Sequence, residues 1–180
     1  MIRTPRAAFG VAALLCSLAM VATAQDKKAP KGDKPFDDAE FVMKASEGGL
    51  YEVQVHMLAA KMAMSADVKK HATMMLKDHT KLNAEMKKVA SAGGMKVATK
   101  IDAKHAKTLE TLRGLKGAAF DKAYLDDQLE DHEMDIKEFT EASEKAKAPA
   151  LKELATKALP TLKDHLDMVK KAQDEKGDKK

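Results

Sequence analysis

The sequence contains no tryptophan, a single cysteine and few aromatic residues. Phe, Trp and Tyr make up 4% of its 180 residues, whereas Ala, Lys, Leu and Met are abundant. Sheets favour aromatic and β-branched residues, and the abundant types here favour helices. The composition therefore predicts an all-α protein.

The N-terminus has the layout of a signal peptide. Two arginines precede the apolar run Ala7–Ala22, which is short and rich in Ala and Gly for a membrane span. Ala22-Thr23-Ala24 then has the small-x-small form of a signal-peptidase site. We expect residues 1–24 to be a signal peptide cleaved between Ala24 and Gln25, with an uncleaved anchor as the alternative. Cleavage predicts a protein exported to the periplasm or cell envelope, without a stable membrane span.

Loss of this leader changes the chemistry of the mature chain. Cys16 leaves with it, which excludes disulfides and thiolate metal sites. Arg3 and Arg6 also leave, which lowers the formal charge from +4 to +2. Because the remaining charges of both signs are interleaved and nearly balanced, the sequence gives little support for nucleic-acid binding.

The mature chain divides into a tether, one helical domain and a tail. Residues 25–35 are polar and rich in Pro and Lys, which predicts a disordered tether. Residues 174–180 form a charged tail. Between them, in 36–173, apolar residues recur at three- and four-residue steps, which predicts helices. We expect these at Phe36–Met64, Val68 to the Gly93-Gly94 pair, Ala103–Arg113, Ala118–Lys147 and from Pro149 onward.

The connections between these helices predict a bundle. Short turns join the first long helix to the second and the third to the fourth, so each pair should form an antiparallel hairpin. The segment 95–117 is too long for a tight turn and long enough to cross a bundle. Within the helices, the Gly48-Gly49 pair predicts close approach of a neighbouring backbone, and Pro160 predicts a kink.

Each long helix carries one titratable side chain on its otherwise apolar stripe: Glu52, His79, His132 and His165. In an antiparallel hairpin, residues equally far from the turn lie at the same height. Glu52 and His79 are equally far from the first turn, and His132 and His165 from the second. At 1.5 Å per residue these distances are about 20 and 25 Å. If the crossover reverses the second hairpin, these distances add to about 45 Å, close to one helix length, and all four side chains lie in one layer. Without the reversal their heights differ by only about one turn.

Three imidazoles and one carboxylate suit a single divalent ion such as zinc, copper, nickel or cobalt. His56, one turn after Glu52, is a further candidate ligand. A bridged iron pair is disfavoured, because leucine stands three residues before each of the three histidines, where di-iron sites use glutamate. The alternative is a metal-free polar layer in which Glu52 accepts hydrogen bonds and sets the helix register.

An aspartate precedes each of the three histidines: Asp78, Asp131 and Asp164. Consecutive helical residues point about 100° apart, so these carboxylates either orient imidazoles on neighbouring helices or form surface salt bridges. His71 and His105 lie off the apolar stripes, and we expect both to be exposed.

Several of these residues also carry a family resemblance. They are Phe41, Glu52, Ala59, Met75, Asp78-His79, Phe120-Asp121, Tyr124, His132, Leu159-Pro160 and His165. As a set they resemble the exported domain of unknown function 4142 family, over about Phe36 to Lys171. The resemblance implies a ferritin-like four-helix bundle in the bacterial periplasm or envelope, and it implies no particular biochemical activity.

The leading hypothesis is therefore an exported binding or structural protein with one transition-metal site. A metal-free structural or partner-binding module, a ferritin-like redox enzyme and a copper-binding protein are the alternatives. No phosphate loop or nucleophile motif is visible, which disfavours an enzyme. An envelope protein partner and a homo-oligomer both stay open. The copper alternative depends on methionines near the first turn, at Met57, Met62, Met64, Met74 and Met75.

Overall fold

A computed structural model of the protein describes Met1 and residues 35–177, with side chains to Glu175. The predicted signal peptide, its cleavage site and nearly all of the tether lie outside these residues. The described residues form five α-helices and no strand, which confirms the all-α prediction. The helices are α1 (Asp38–Met62), α2 (Ala66–Ala92), α3 (Ala103–Gly114), α4 (Gly117–Lys145) and α5 (Pro149–Gly177).

Local signals explain where the helices begin and end. Asp37 caps α1 by accepting from the backbone N–H groups of Ala39 and Glu40, and Asp102 caps α3 by accepting from that of His105. Gly94, which has a φ of 66°, follows the end of α2. The last helix continues through Pro160 and reaches into the charged tail. No helix among the described residues is long and apolar enough to cross a membrane.

The four long helices contact one another in a ring. Helix α1 packs on α2 and α4, and α5 packs on the same two helices. The short helix α3 lies against α1 and α4. The α2–α5 and α1–α4 contacts therefore lie on opposite sides of the ring.

Two carboxylates join the hairpins at their turns. Asp121 of α4 accepts from the N–H groups of Met64 and Ser65, at 2.8 and 3.0 Å, in the turn after α1. Asp38 of α1 accepts from the N–H groups of Lys147 and Ala148, at 3.0 and 2.7 Å, before α5. Each turn is thus held by the other hairpin, which places the start of α4 beside the end of α1. The connection through α3 therefore runs along the helices rather than making a tight turn.

The buried apolar residues form two clusters with a polar layer between them. One cluster contains Tyr51, Met75 and Phe120, and the other contains Phe41 and Phe139. Along α2, α4 and α5 the buried histidines stand between the members of these two clusters. The candidate site therefore interrupts the core near the middle of the helices.

The prediction that a neighbouring backbone approaches the Gly48-Gly49 pair closely is wrong. A Cβ atom on Gly49 would lie 1.9 Å from Oδ1 of Asn83, a side chain on α2 and not its backbone. Asn83 Nδ2 also donates to the carbonyl of Gly49 at 2.7 Å. Gly48 has no atom within 4 Å of the same position. Only Gly49 is needed for packing.

We predict opposite effects for the two glycines. Gly48→Ala should stabilise the fold by about 0.5–1 kcal/mol, because alanine favours a helix and meets no neighbour here. Gly49→Ala should be less stable than Gly48→Ala by about 1–2 kcal/mol, because Asn83 must move and lose its hydrogen bond. Urea unfolding measures both. In an Asn83→Ala background the difference should disappear, and its persistence would contradict the contact as the cause.

Candidate metal centre

The structure brings the four predicted residues into the interior. Glu52 on α1, His79 on α2, His132 on α4 and His165 on α5 are all at most 2% exposed. The ring centres of His79, His132 and His165 lie 5.3–5.4 Å from one another. His56, the further candidate, is also fully buried, and its ring centre lies 5.2 Å from that of His79.

These five residues form two overlapping groups rather than one. His79, His132 and His165 each offer a nitrogen within 4.8 Å of the others. Glu52 forms a second such group with His56 and His79. The predicted carboxylate therefore groups with His56 and His79, and not with His132 and His165.

The proton of the His132 ring is placed by its own helix. Nδ1 of His132 lies 3.0 Å from the backbone carbonyl of Gln128, one turn earlier. A carbonyl only accepts hydrogen bonds, so Nδ1 must carry the hydrogen. In the neutral ring Nε2 is then a bare acceptor, and it faces the interior.

The proton of the His165 ring is placed by a neighbouring helix. Nε2 of His165 lies 3.1 Å from Oδ2 of Asp78 on α2. The carboxylate accepts from Nε2–H, which leaves Nδ1 without a hydrogen in the neutral ring. Asp78 thus orients an imidazole across the α2–α5 contact, one of the two roles open to it from the sequence.

The two inward nitrogens face each other. Nε2 of His132 and Nδ1 of His165 lie 3.4 Å apart, and the outer contacts leave neither with a hydrogen to share. Nitrogens 2.0–2.1 Å from a tetrahedral ion lie about 3.3 Å apart, and their ring centres about 5 Å apart. The three rings therefore have the spacing of ligands around one ion.

Glu52 and His56 have a different geometry. Oε2 of Glu52 lies 2.5 Å from Nε2 of His56 and 3.7 Å from Nε2 of His79. None of these three buried atoms makes a hydrogen bond of normal alignment. A gap of 2.5 Å is too short for two ligands of one ion, since these need about 3.3 Å. Glu52 and His56 are better matched as partners of each other.

Polar neighbours complete this side of the layer. The hydroxyl of Tyr124 lies 2.8 Å from Nδ1 of His56, and Nε2 of Gln128 donates to Oε1 of Glu52 at 3.3 Å. Both side chains are fully buried. Together they link α1 to α4 at the level of the histidines.

Burial favours the neutral form of every group in the layer. It lowers the pKa of His56 and His79 well below 6.5, and the neighbouring imidazoles lower both further. Burial, followed by the charge of His165, lowers the pKa of His132 to about 4. Burial also lowers the pKa of His165, although Asp78 opposes the shift. Neutral imidazoles are the form that binds metal.

The carboxyl groups respond in opposite directions. Burial, followed by the charge of Asp131, raises the pKa of Glu52 well above its ordinary value. Burial opposes ionisation of Asp131 as well, but hydrogen bonds from Glu52 and His105 outweigh it and lower its pKa to about 2. The charge on this side of the layer therefore resides on Asp131, nearer the surface.

The three aspartates have three different environments. Asp78 contacts His165, as described. Asp131 contacts His105 on α3, with an oxygen 3.7 Å from Nε2 of that ring. Asp164 is exposed on α5. Of the three, Asp78 is the one that holds an imidazole of the His79/His132/His165 group through a hydrogen bond.

The expectation that His105 is exposed is wrong. Its side chain is 17% exposed, its ring stacks on Tyr51 with centres 4.3 Å apart, and Asp102 and Asp131 lie on either side. His105 lies on the face of α3 that packs against α1 and α4, and the sequence pattern of α3 alone could not indicate that packing. His71 is half-buried on α2, so it too is less exposed than expected.

Gln128 and Tyr124 were not predicted as site residues. A signal for Gln128 was present, because it lies one turn before His132 just as Glu52 lies one turn before His56. The hairpins correspond in the same way at Asp78-His79 and Asp164-His165. The two hairpins therefore present matching positions to the layer, with glutamate in one and glutamine in the other.

A comparison with known protein families identifies the family of this chain. Residues 21–172 match the sequence family described as a domain of unknown function, DUF4142. The chain belongs to the DUF4142 family. This confirms the resemblance drawn from its sequence. No curated protein gives a significant match.

Two crystal structures share the fold. A DUF305 fragment from Deinococcus radiodurans superposes with a TM-score of 0.66 at 12% identity, over 77% of this chain and 97% of its own. A DUF305 protein from Streptomyces coelicolor, described as a candidate secreted protein, gives 0.67 at 14% identity, over 78% and 93%. At this identity the likeness is one of fold alone.

The buried histidines predict loss of stability in acid. Their pKa values are lower in the folded than in the unfolded chain, so protons favour unfolding as the pH falls below 6.5. For metal-free protein, His132→Gln should reduce the slope of unfolding free energy against pH by up to about 1.4 kcal/mol per unit between pH 6 and 4.5. Urea unfolding in the presence of a chelator measures this.

The difference between the unaltered protein and His132→Gln reports the titration of His132 alone. Glu52, whose pKa is raised, has the opposite effect on the pH dependence, but it is present in both. Above pH 7 the two slopes should coincide, because His132 is neutral in both states there. Equal slopes below pH 6 would mean that His132 titrates normally in the folded protein.

Proposed function

We propose that this protein is an exported metal-binding protein that holds one divalent transition ion on His79, His132 and His165. The observation that supports this most strongly is the 3.4 Å approach of two imidazole nitrogens whose hydrogens point elsewhere. Two buried lone pairs facing each other are unfavourable unless a cation lies between them. The third ring, from α2, completes a three-ligand set.

The donor set favours some ions over others. Three neutral imidazoles suit zinc, copper, nickel and cobalt, whereas magnesium and calcium prefer oxygen ligands. A di-iron centre needs several carboxylates that bridge and flank the ions. Glu52 is the one carboxylate among the two groups of donors. The set therefore supports a single ion and does not fit a bridged iron pair.

The fold and the leader support an extracytoplasmic role. The length and direction of the connection through α3 support classification as a ferritin-like four-helix bundle, which we propose. The predicted signal peptide, together with the family resemblance, supports location in the periplasm or cell envelope. The methionine alternative has less support, since Met75 is a core residue while Met57 and Met64 are exposed.

A metal-free polar layer is the second candidate function. The hydrogen bonds from Gln128 to Glu52 and between Tyr124 and His56 form without any ion. Such a network would set helix register in a structural or partner-binding module. This candidate predicts that His132→Leu keeps or gains stability and changes no bound ion.

The first test is metal stoichiometry. Protein purified from the exported fraction should bind one zinc or cobalt ion per chain, measured by elemental analysis and equilibrium dialysis. Saturation at 100 times Kd should raise the unfolding free energy by about 2.7 kcal/mol. His132→Leu should remove both effects.

His71→Gln is the matched control, because His71 lies on α2 outside the two groups. It should leave affinity and stoichiometry unchanged. Substoichiometric metal in the unaltered protein, or an equal loss in His71→Gln, would reject the site and favour the metal-free layer.

The second test separates two aspartates in matching positions. Asp78→Asn should lower metal affinity by about 10- to 100-fold, because its carboxylate orients His165 and raises the basicity of its ring. Asp164→Asn, at the corresponding exposed position of α5, should have no effect. Competition with a chromophoric chelator measures both variants. Equal affinities for Asp78→Asn and Asp164→Asn would show that the His165 contact does not support the ion.

A further inference from the structure

A groove between α2 and α5 leads to the histidines. Its cavity volume is about 220 Å³. Asp78, His79 and Leu82 line it from α2, and Ala158, Thr161 and His165 from α5. Two of the three proposed ion ligands therefore form part of its wall, and small residues on α5 keep it open beside them.

The groove and Glu52 lie on different sides of the layer. The groove belongs to the α2–α5 contact, whereas Glu52 and His56 meet α4 on the α1 side. The carboxylate is thus grouped with His56 and His79, and not with His132 and His165. An ion held by the three histidines would have its fourth position free of Glu52.

Charge indicates what would fill that position. Three neutral imidazoles leave both charges of a divalent ion in place. Asp78, which contacts His165, supplies one negative charge nearby. Because a buried charge without compensation is costly, an anionic fourth ligand is favoured over a neutral one.

We propose that the α2–α5 groove admits a small inorganic anion that binds the ion as its fourth ligand. This rests on the proposed metal site. The groove is large enough to hold a ligand of a few atoms beside His79 and His165. Leu82 and Leu162 also line the groove, and neither offers a polar contact that would compete with the ion for the anion.

The lysines at the groove are not an anion site by themselves. Lys157 lies 2.6 Å from Glu153, and Lys81 lies 4.0 Å from Glu85. Their charges are largely balanced by these partners. The attraction for an anion therefore comes from the ion itself, which makes anion binding strictly dependent on metal.

The test is azide binding to the cobalt-loaded full-length mature protein, followed by visible absorption. Azide should shift the cobalt bands with a saturable dependence on concentration. Thr161→Phe should weaken azide binding at least tenfold by filling the groove, while cobalt affinity is kept. Thr156→Phe, an exposed threonine of α5 outside the groove, is the matched control and should behave as the unaltered protein.

The outcomes distinguish this inference from the proposed function. Absence of cobalt binding would reject the metal site itself. Cobalt binding with no response to azide would reject only the open position. In that case Glu52→Gln should weaken cobalt binding sharply, because Glu52 would then be the fourth ligand. Equal azide affinity in Thr161→Phe and Thr156→Phe would reject the groove as the route.

Discussion

The proposed metal site depends on two hydrogen bonds at the outer edges of buried imidazoles. His132 gives its Nδ1 hydrogen to the carbonyl of Gln128, and His165 gives its Nε2 hydrogen to Asp78. Both acceptors lack a hydrogen to return, so the inward nitrogens are bare. Without these contacts either ring could rotate or exchange tautomers, and the pair would satisfy itself with a simple N–H···N bond. The outer partners thus convert a buried cluster into a set of donors.

The surrounding helices keep that set in place. Apolar clusters lie on either side of the layer, and the Asp121 and Asp38 carboxylates tie each hairpin's turn to the other hairpin. Sliding one hairpin along the other would break hydrogen bonds at both ends and misalign the histidines. A polar layer is costly to bury, so its persistence requires packing that fixes its height. Tertiary contacts far from the histidines therefore determine the spacing of the donors.

Sequence periodicity predicted the heights and faces of the site residues well. Helix bounds followed from caps and glycines, and equal distances from the turns placed Glu52, His79, His132 and His165 in one layer. Side-chain direction within the layer was not predictable, because a stripe fixes which face a residue occupies and not its rotamer. The sequence could not indicate that the side chain of Glu52 points towards His56. Likewise, Asp78 and Asp164 share one local sequence, and only the neighbouring helix distinguishes them.

The two hairpins differ at one pair of matching positions, Glu52 and Gln128, and this difference has a chemical consequence. Glutamate on α1 and glutamine on α4 occupy corresponding positions, yet they bond to each other across the layer. The glutamine donates an amide N–H to Oε1 of Glu52, which an ionised glutamate in its place could not do. That pairing fixes Oε1 of Glu52 against α4, while Oε2 lies beside His56. Glu52 is thereby held on the α1–α4 side of the layer, and the groove on the α2–α5 side is the direction from which we propose that a ligand approaches.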